Sequence, residues 1–239
     1  MLFPSSASGP SNLCFHIRPN FHVYNNVTRL ALWVSLACLA PLQAADANLP
    51  ALLKGVEQRY NRAKTLQVQF IEAYSVQGAP RKSESGELTL RKPGRMRWDY
   101  SEPAGKLFVS DGKDVYLYTP DAHRVEKTKL KASEDMRAPL AFLLGKLDFA
   151  KEFRDFDLKP DGPNFIITAK AKTDQLPYVA VDMLVTPDYE IRRLVVTGQD
   201  QSLLTFRFSG EKLNPPVDDV LFKFQMPQGA TLAAAEDAQ

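Results

Sequence analysis

Apolar and polar positions alternate with a period of two in one run after another along this chain, from about residue 65 to residue 226. Leu66, Val68 and Phe70 alternate with Gln67 and Gln69 in a run that extends to about Val76. Leu88 and Leu90 alternate with Glu87, Thr89 and Arg91. After the break Lys92-Pro93-Gly94, Met96, Trp98 and Tyr100 alternate with Arg95, Arg97 and Asp99. Such alternation predicts strands with one buried face. Further strands are expected at 107–109, 115–118, 124–128, 156–159, 165–171, 179–186, 191–197, 203–208 and 221–226. Turn signals such as Ser110-Asp111-Gly112, Asp161-Gly162-Pro163 and Gly198-Gln199-Asp200 separate them.

Two stretches keep a different period. Leu49, Leu52, Leu53, Val56 and Tyr60 share one face of a helix running from about residue 49 to residue 64, with Asn48 as its cap and Pro50 in its first turn. Gly55 weakens that helix slightly. A second helical stretch starts near Ser133-Glu134-Asp135 and includes Pro139 to Gly145, with a further turn or two at 148–153. The tail after Leu232 is small and polar and reads as disordered. Many short strands at hairpin spacing with two helical segments left over predict a mainly β (α+β) protein built on one curled antiparallel sheet or barrel.

The strands around residues 86–110 carry unequal faces. One holds large apolar groups, the other a close series of cations. The cations do not imply a nucleic-acid partner. The chain has 30 basic and 28 acidic residues and a net charge of +2. Residues 1–44 contain Arg18 and Arg29 but no acid, so the remaining 195 residues are formally neutral. Both cysteines, Cys14 and Cys38, also precede residue 45, leaving the body without a disulfide or thiolate site.

Residues 30–40, LALWVSLACLA, form a short apolar run preceded by Arg29, the pattern of a secretory signal and too short to cross a membrane. Cleavage is expected after Ala44, giving a leader of 1–44 and a single domain of 45–239. Val27-Thr28-Arg29 would serve as the charged start of that signal, with translation beginning near Val27. Ser35 and Leu36 before Cys38 fit a lipidation signal poorly.

Enzyme chemistry finds little support. The body has one histidine, His123, in a turn-like setting, no spacing of metal ligands and no glycine-rich phosphate loop after a strand. Asp218-Asp219 reads as solvated charge in a polar turn. No cofactor and no metal are expected. What remains is the inner face of the curled sheet, as packed core or as an apolar cavity. Its candidate residues are Val68, Phe70, Leu88, Leu90, Met96, Trp98, Tyr100 and Phe108, with Tyr60 from the first helix. Phe142, Leu143 and Leu144 would come from a helical cover.

An ordered series of short motifs then narrows the reading. Leu66 to Phe70 follows the first helix, and Gly86-Glu87-Leu88 leads into Lys92-Pro93. Arg97-Trp98-x-Tyr100, Val109-Ser110-Asp111-Gly112-Lys113, Phe142-Leu143-Leu144-Gly145, Gln199-Asp200, Phe222-x-Phe224 and Pro227-Gln228-Gly229 follow in order. In this series the chain resembles the LolA family, the periplasmic carriers of outer-membrane lipoproteins. The resemblance implies an unclosed, highly curved antiparallel β-barrel with a helical lid over an apolar cavity. It implies a monomer whose cavity takes the acyl chains of lipoproteins. A LolCDE-like ABC transporter in the inner membrane would load it, and a LolB-like outer-membrane receptor would receive the cargo. In the family a basic residue, usually Arg, precedes the proline and ties the lid. Lys92 stands there, with Arg91 beside it, so these two are the candidate lid latch. Lysine lacks the planar fork with which arginine holds several carbonyls. A carrier of another amphiphile such as a glycolipid, or a lipid-sensing periplasmic regulator, would share much of this pattern.

Overall fold

The computed structural model describes residues 48–76, 78–130 and 147–233. The expected leader, the helical stretch 133–146 with Phe142, Leu143 and Leu144, and the end of the tail lie outside those residues.

Helix α1 (Leu49–Arg62) opens the described chain. The Asn48 side chain accepts a hydrogen bond from the Ala51 amide at 3.3 Å, and Leu52, Val56 and Tyr60 form its buried stripe. The helix stops at Arg62, two residues short of the expected end, and Thr65 is already in a strand. Gly55 has a packing reason: a Cβ there would stand 2.3 Å from the Tyr189 ring, which lies against the helix.

The strands then run as β1 (Thr65–Val76), β2 (Ala79–Pro80), β3 (Glu84–Arg91), β4 (Arg95–Glu102), β5 (Leu107–Asp111), β6 (Asp114–Thr119) and β7 (Arg124–Lys129). A short helix α2 (Phe149–Glu152) leads into β8 (Phe153–Asp161), β9 (Asn164–Ala171), β10 (Tyr178–Val185), β11 (Ile191–Gly198), β12 (Leu203–Leu213) and the two-residue β13 (Thr231–Leu232). All belong to one sheet, in the order β13-β7-β6-β5-β4-β3-β1-β12-β11-β10-β9-β8, with β2 paired on β1. Its two ends do not meet, so the barrel is unclosed.

Curvature follows from side-chain distances. Strands β3 and β1 lie between β4 and β12, which in a flat sheet would hold them about 14 Å apart at about 4.8 Å per strand. The rings of Trp98 on β4 and Phe206 on β12 are nevertheless only 5.4 Å apart between centroids. The sheet curls so that both halves send their inward residues into one cluster, capped by Leu52, Val56 and Tyr60 of α1.

Three expectations need correction. The sheet is not wholly antiparallel, because β13 pairs parallel with β7 through Thr231 and Leu232. Residues 221–226 do not form a strand: Asp219–Phe222 is a 3-10 turn, and the chain beyond it crosses the outer face of the sheet. Phe222 and Phe224 imitate strand alternation because that crossing segment buries alternate residues. Asp218 and Asp219 are not merely solvated. Asp218 Oδ1 accepts the Val220 amide at 2.9 Å, and Asp219 Oδ1 takes Arg95 at 2.6 Å and Arg91 at 3.0 Å.

Candidate functional site

The concave face is built by strand register. Cross-strand rows place Val68 opposite Leu88, Leu88 opposite Trp98, and Trp98 opposite Phe108. The next rows place Leu66, Leu90 and Met96 together on one side, and Phe70, Gly86 and Tyr100 on the other. Every one of the inner-face residues anticipated from the sequence on β1, β3, β4 and β5 is buried and belongs to the central cluster, as does Tyr60. The rings meet mostly edge to face, Phe70 with Trp98 at 4.7 Å and with Tyr100 at 5.1 Å. This arrangement is favoured by the ring quadrupoles. Trp98 Nε1 donates to Met96 Sδ at 3.5 Å.

The other half of the same face comes from β9 to β12, through Ile167, Val181, Met183, Leu194 and Phe206. Sequence period places these residues on strands but does not assign them to the same inner face as Trp98. Their alternation was visible, but nothing local says that distant strands close onto β4.

Helix α1 is tied over this face at its C-terminal turn. Lys92 Nζ donates to the Tyr60 carbonyl at 2.7 Å, in the last turn of the helix, where that oxygen also accepts the Ala63 amide at 3.2 Å. Burial holds the Lys92 ammonium below its ordinary pKa. On the opposite side of the turn, Arg59 donates to Glu211 Oε1 from Nε at 3.1 Å and from Nη2 at 2.6 Å. Tyr60 Oη donates to Glu211 Oε2 at 2.7 Å and accepts from the Ile191 amide at 2.9 Å. Burial first, then the neighbouring Glu211 charge, pushes the Tyr60 hydroxyl well above its usual pKa. Burial, with Glu211 as the next contribution, also raises Glu190. Asn61 adds a two-way bond with the Leu147 backbone, at 2.8 and 2.7 Å. The α1–β12 hub was missed from sequence because Arg59 and Glu211 stand 152 residues apart.

Arg91, the other candidate latch residue, points elsewhere. Its Nη1 donates to the Val217 carbonyl at 2.7 Å, on the convex face. Arg97 donates to the Leu221 carbonyl at 3.2 Å as well as to Asp99. Phe222 is buried there, and Phe224 stacks on Tyr116 with centroids 4.7 Å apart. The basic face of β3 and β4 therefore holds the C-terminal segment, while Lys92 alone of the pair reaches α1. These ion pairs are partly exposed, so replacing Asp219 by Ala is expected to lower stability by only about 0.5–1 kcal/mol. It should nevertheless open the segment locally. Amide exchange at Val220 and Lys223 several-fold faster than in the unaltered protein, with little change elsewhere, is the expected measurement.

An apolar concave face under a helix clamped at one end defines a class of half-barrel proteins with an inward-facing apolar wall. The family described as "Outer membrane lipoprotein carrier protein LolA" matches residues 61–225. The chain belongs to this family. Among its curated relatives, the outer-membrane lipoprotein carrier protein of Pectobacterium carotovorum is 27% identical over 201 residues, covering 84% of this chain and 96% of that protein. The protein of the same description from Proteus mirabilis is 26% identical over 196 residues, covering 82% and 94%. A LolA superfamily protein from Nitrosomonas europaea, known from its crystal structure, superposes with a TM-score of 0.43 at 8% identity, covering 74% of this chain and 98% of that one. Among the described residues, no helix is long and apolar enough to cross a membrane.

Proposed function

We propose that this protein carries outer-membrane lipoproteins through the periplasm, with their acyl chains against the concave face formed by Val68, Phe70, Leu88, Leu90, Met96, Trp98 and Tyr100. The observation that carries the reading is that the family match runs over the strands that supply this face. In this reading residues 1–44 are the secretory leader, removed after Ala44. The protein is a monomer, loaded by a LolCDE-like ABC transporter and emptied onto a LolB-like receptor.

The energetics suit a carrier. A buried methylene is worth roughly 0.8 kcal/mol, so several long chains fully buried would exceed the roughly 20 kcal/mol ceiling of non-covalent affinity. Cargo that must be released is shielded incompletely, under a cover that can move. Aromatic rings and Met96 form such a wall without demanding fixed polar partners.

The test is recovery of the protein from the periplasm of its host followed by mass spectrometry of what accompanies it. A one-to-one soluble complex with an acylated lipoprotein is expected, and purified protein that never takes up acylated cargo from inner-membrane vesicles refutes the reading. Lys92 gives a graded version. In Lys92→Arg the guanidinium reaches more than one carbonyl at the end of α1. One added hydrogen bond of about 1 kcal/mol at this partly exposed site predicts roughly fivefold slower release of bound cargo. Release at the unaltered rate removes Lys92 from the latch.

A further inference from the structure

The apolar track along the concave face ends in a buried carboxylate. Along β1 the inward positions are Leu66, Val68, Phe70 and then Glu72, which is 8% exposed. Six residues of strand give the track from Leu66 to Glu72 a length of roughly 20 Å, comparable to a long fatty-acyl chain. Glu72 is held in place: Tyr100 Oη donates to its Oε2 at 2.9 Å.

Beyond this pair the lining changes character at once. A cleft of about 350 Å³ opens there, bordered by Glu72, Tyr74, Arg81, Lys82, Glu84 and Lys106. Lys106 lies 4.5 Å over the Tyr100 ring and pairs with Glu84 at 2.5 Å. Arg81 lies 5.3 Å over the Tyr74 ring. Two tyrosines thus turn their rings toward the apolar cluster and present a cation on the far side. The boundary between the dry and the charged region is one residue deep.

We propose that Glu72 with Tyr100 is a polar stop that sets the longest acyl chain the concave face accepts. The inference rests on the carrier reading and adds a specificity-determining pair to it. A methylene that stays within the track trades water for Phe70 and Trp98. One that passes the stop must break a buried hydrogen bond or sit among charges, where burial brings no gain.

Saturated acyl-glyceryl probes of increasing length, from lauroyl to arachidoyl, test this by displacement of a fluorescent apolar probe. Affinity for the unaltered protein is expected to rise about fourfold per added methylene and then level off. In the double variant Glu72→Leu/Tyr100→Phe, which removes the carboxylate and the hydroxyl together, the rise should continue for at least two further methylenes. Within the variant, its own short probes are the reference against which that continued rise is read. A plateau at the same length in the variant, or no plateau in the unaltered protein, overturns the stop. A second measurement needs no variant. At the plateau length, a probe with a terminal hydroxyl should bind the unaltered protein at least as tightly as its methyl-ended counterpart. At shorter lengths it should bind more than tenfold worse. Equal penalties at all lengths overturn the proposal. If no acyl probe binds the unaltered protein at any length, the carrier reading fails and the stop falls with it. Binding without a length limit removes the stop alone.

Discussion

Replacing Trp98 by Ala is expected to cost about 3–5 kcal/mol of folding free energy, the range for emptying a large aromatic site in a core. Trp98 is fully buried, and it touches both halves of the curled sheet, through Phe70 and through Phe206. Its loss removes the contact that joins β4 to β12 across two intervening strands. The space left is bordered by rings whose positions are set by backbone pairing, so it can collapse only in part. Urea unfolding followed by far-ultraviolet circular dichroism measures the effect. A midpoint lowered to that extent, with an unchanged slope, is expected. A loss under 1 kcal/mol would show that the two halves of the face do not depend on each other. Trp98 is also the only tryptophan after residue 44, so its emission in the unaltered protein reports on the concave face directly. Acyl-chain binding there should shift that emission.

Gly86→Ala is expected to be comparably damaging, at about 3 kcal/mol, for the opposite reason. A Cβ at Gly86 would stand 2.0 Å from the Asp99 carbonyl oxygen and 2.9 Å from Tyr100 Cα. Both are backbone atoms in a paired strand and cannot move aside as a flexible side chain would. Gly86 lies directly between Phe70 and Tyr100 in the cross-strand row, where the two rings meet at 5.1 Å. The register of β3 on β4 also shifts between Ser85 and Gly86. Adding a methyl there forces the strands apart at the point where the aromatic track approaches its polar end. Thermal unfolding provides the measurement. A melting temperature within two degrees of the unaltered protein would mean the strands yield without loss.

Both substitutions fall in the stretch from Gly86 to Ser110, whose strands carry unequal faces. Its alternation is strict, and its residue types differ sharply between faces. Leu88, Leu90, Met96, Trp98 and Tyr100 could be assigned to one buried side from period alone, and the structure puts all of them in the central cluster. The basic residues opposite could be recognised as a face, but not given a partner. Arg91, Arg95 and Arg97 meet Val217, Asp219 and Leu221, more than 120 residues away. No local pattern encodes such a meeting. The same limit hid Glu211 as the carboxylate under Arg59 and Tyr60. It also made 221–226 look like a strand, because burial against a convex face and burial in a sheet produce the same alternation.

The sequence by itself determined where most of the strands and the first helix lie, which side of those strands is apolar, and the family to which the ordered motifs belong. The first two depend on spacing within a dozen residues, which side-chain period and turn chemistry dictate, and the third on the order of the motifs along the whole chain. Only the tertiary structure decided that the sheet curls until Trp98 meets Phe206, that Lys92 rather than Arg91 reaches α1, and that Glu72 is buried under the Tyr100 hydroxyl. Those outcomes depend on which distant strands become neighbours. That choice is made by the summed burial of the whole concave face and by no single stretch of it.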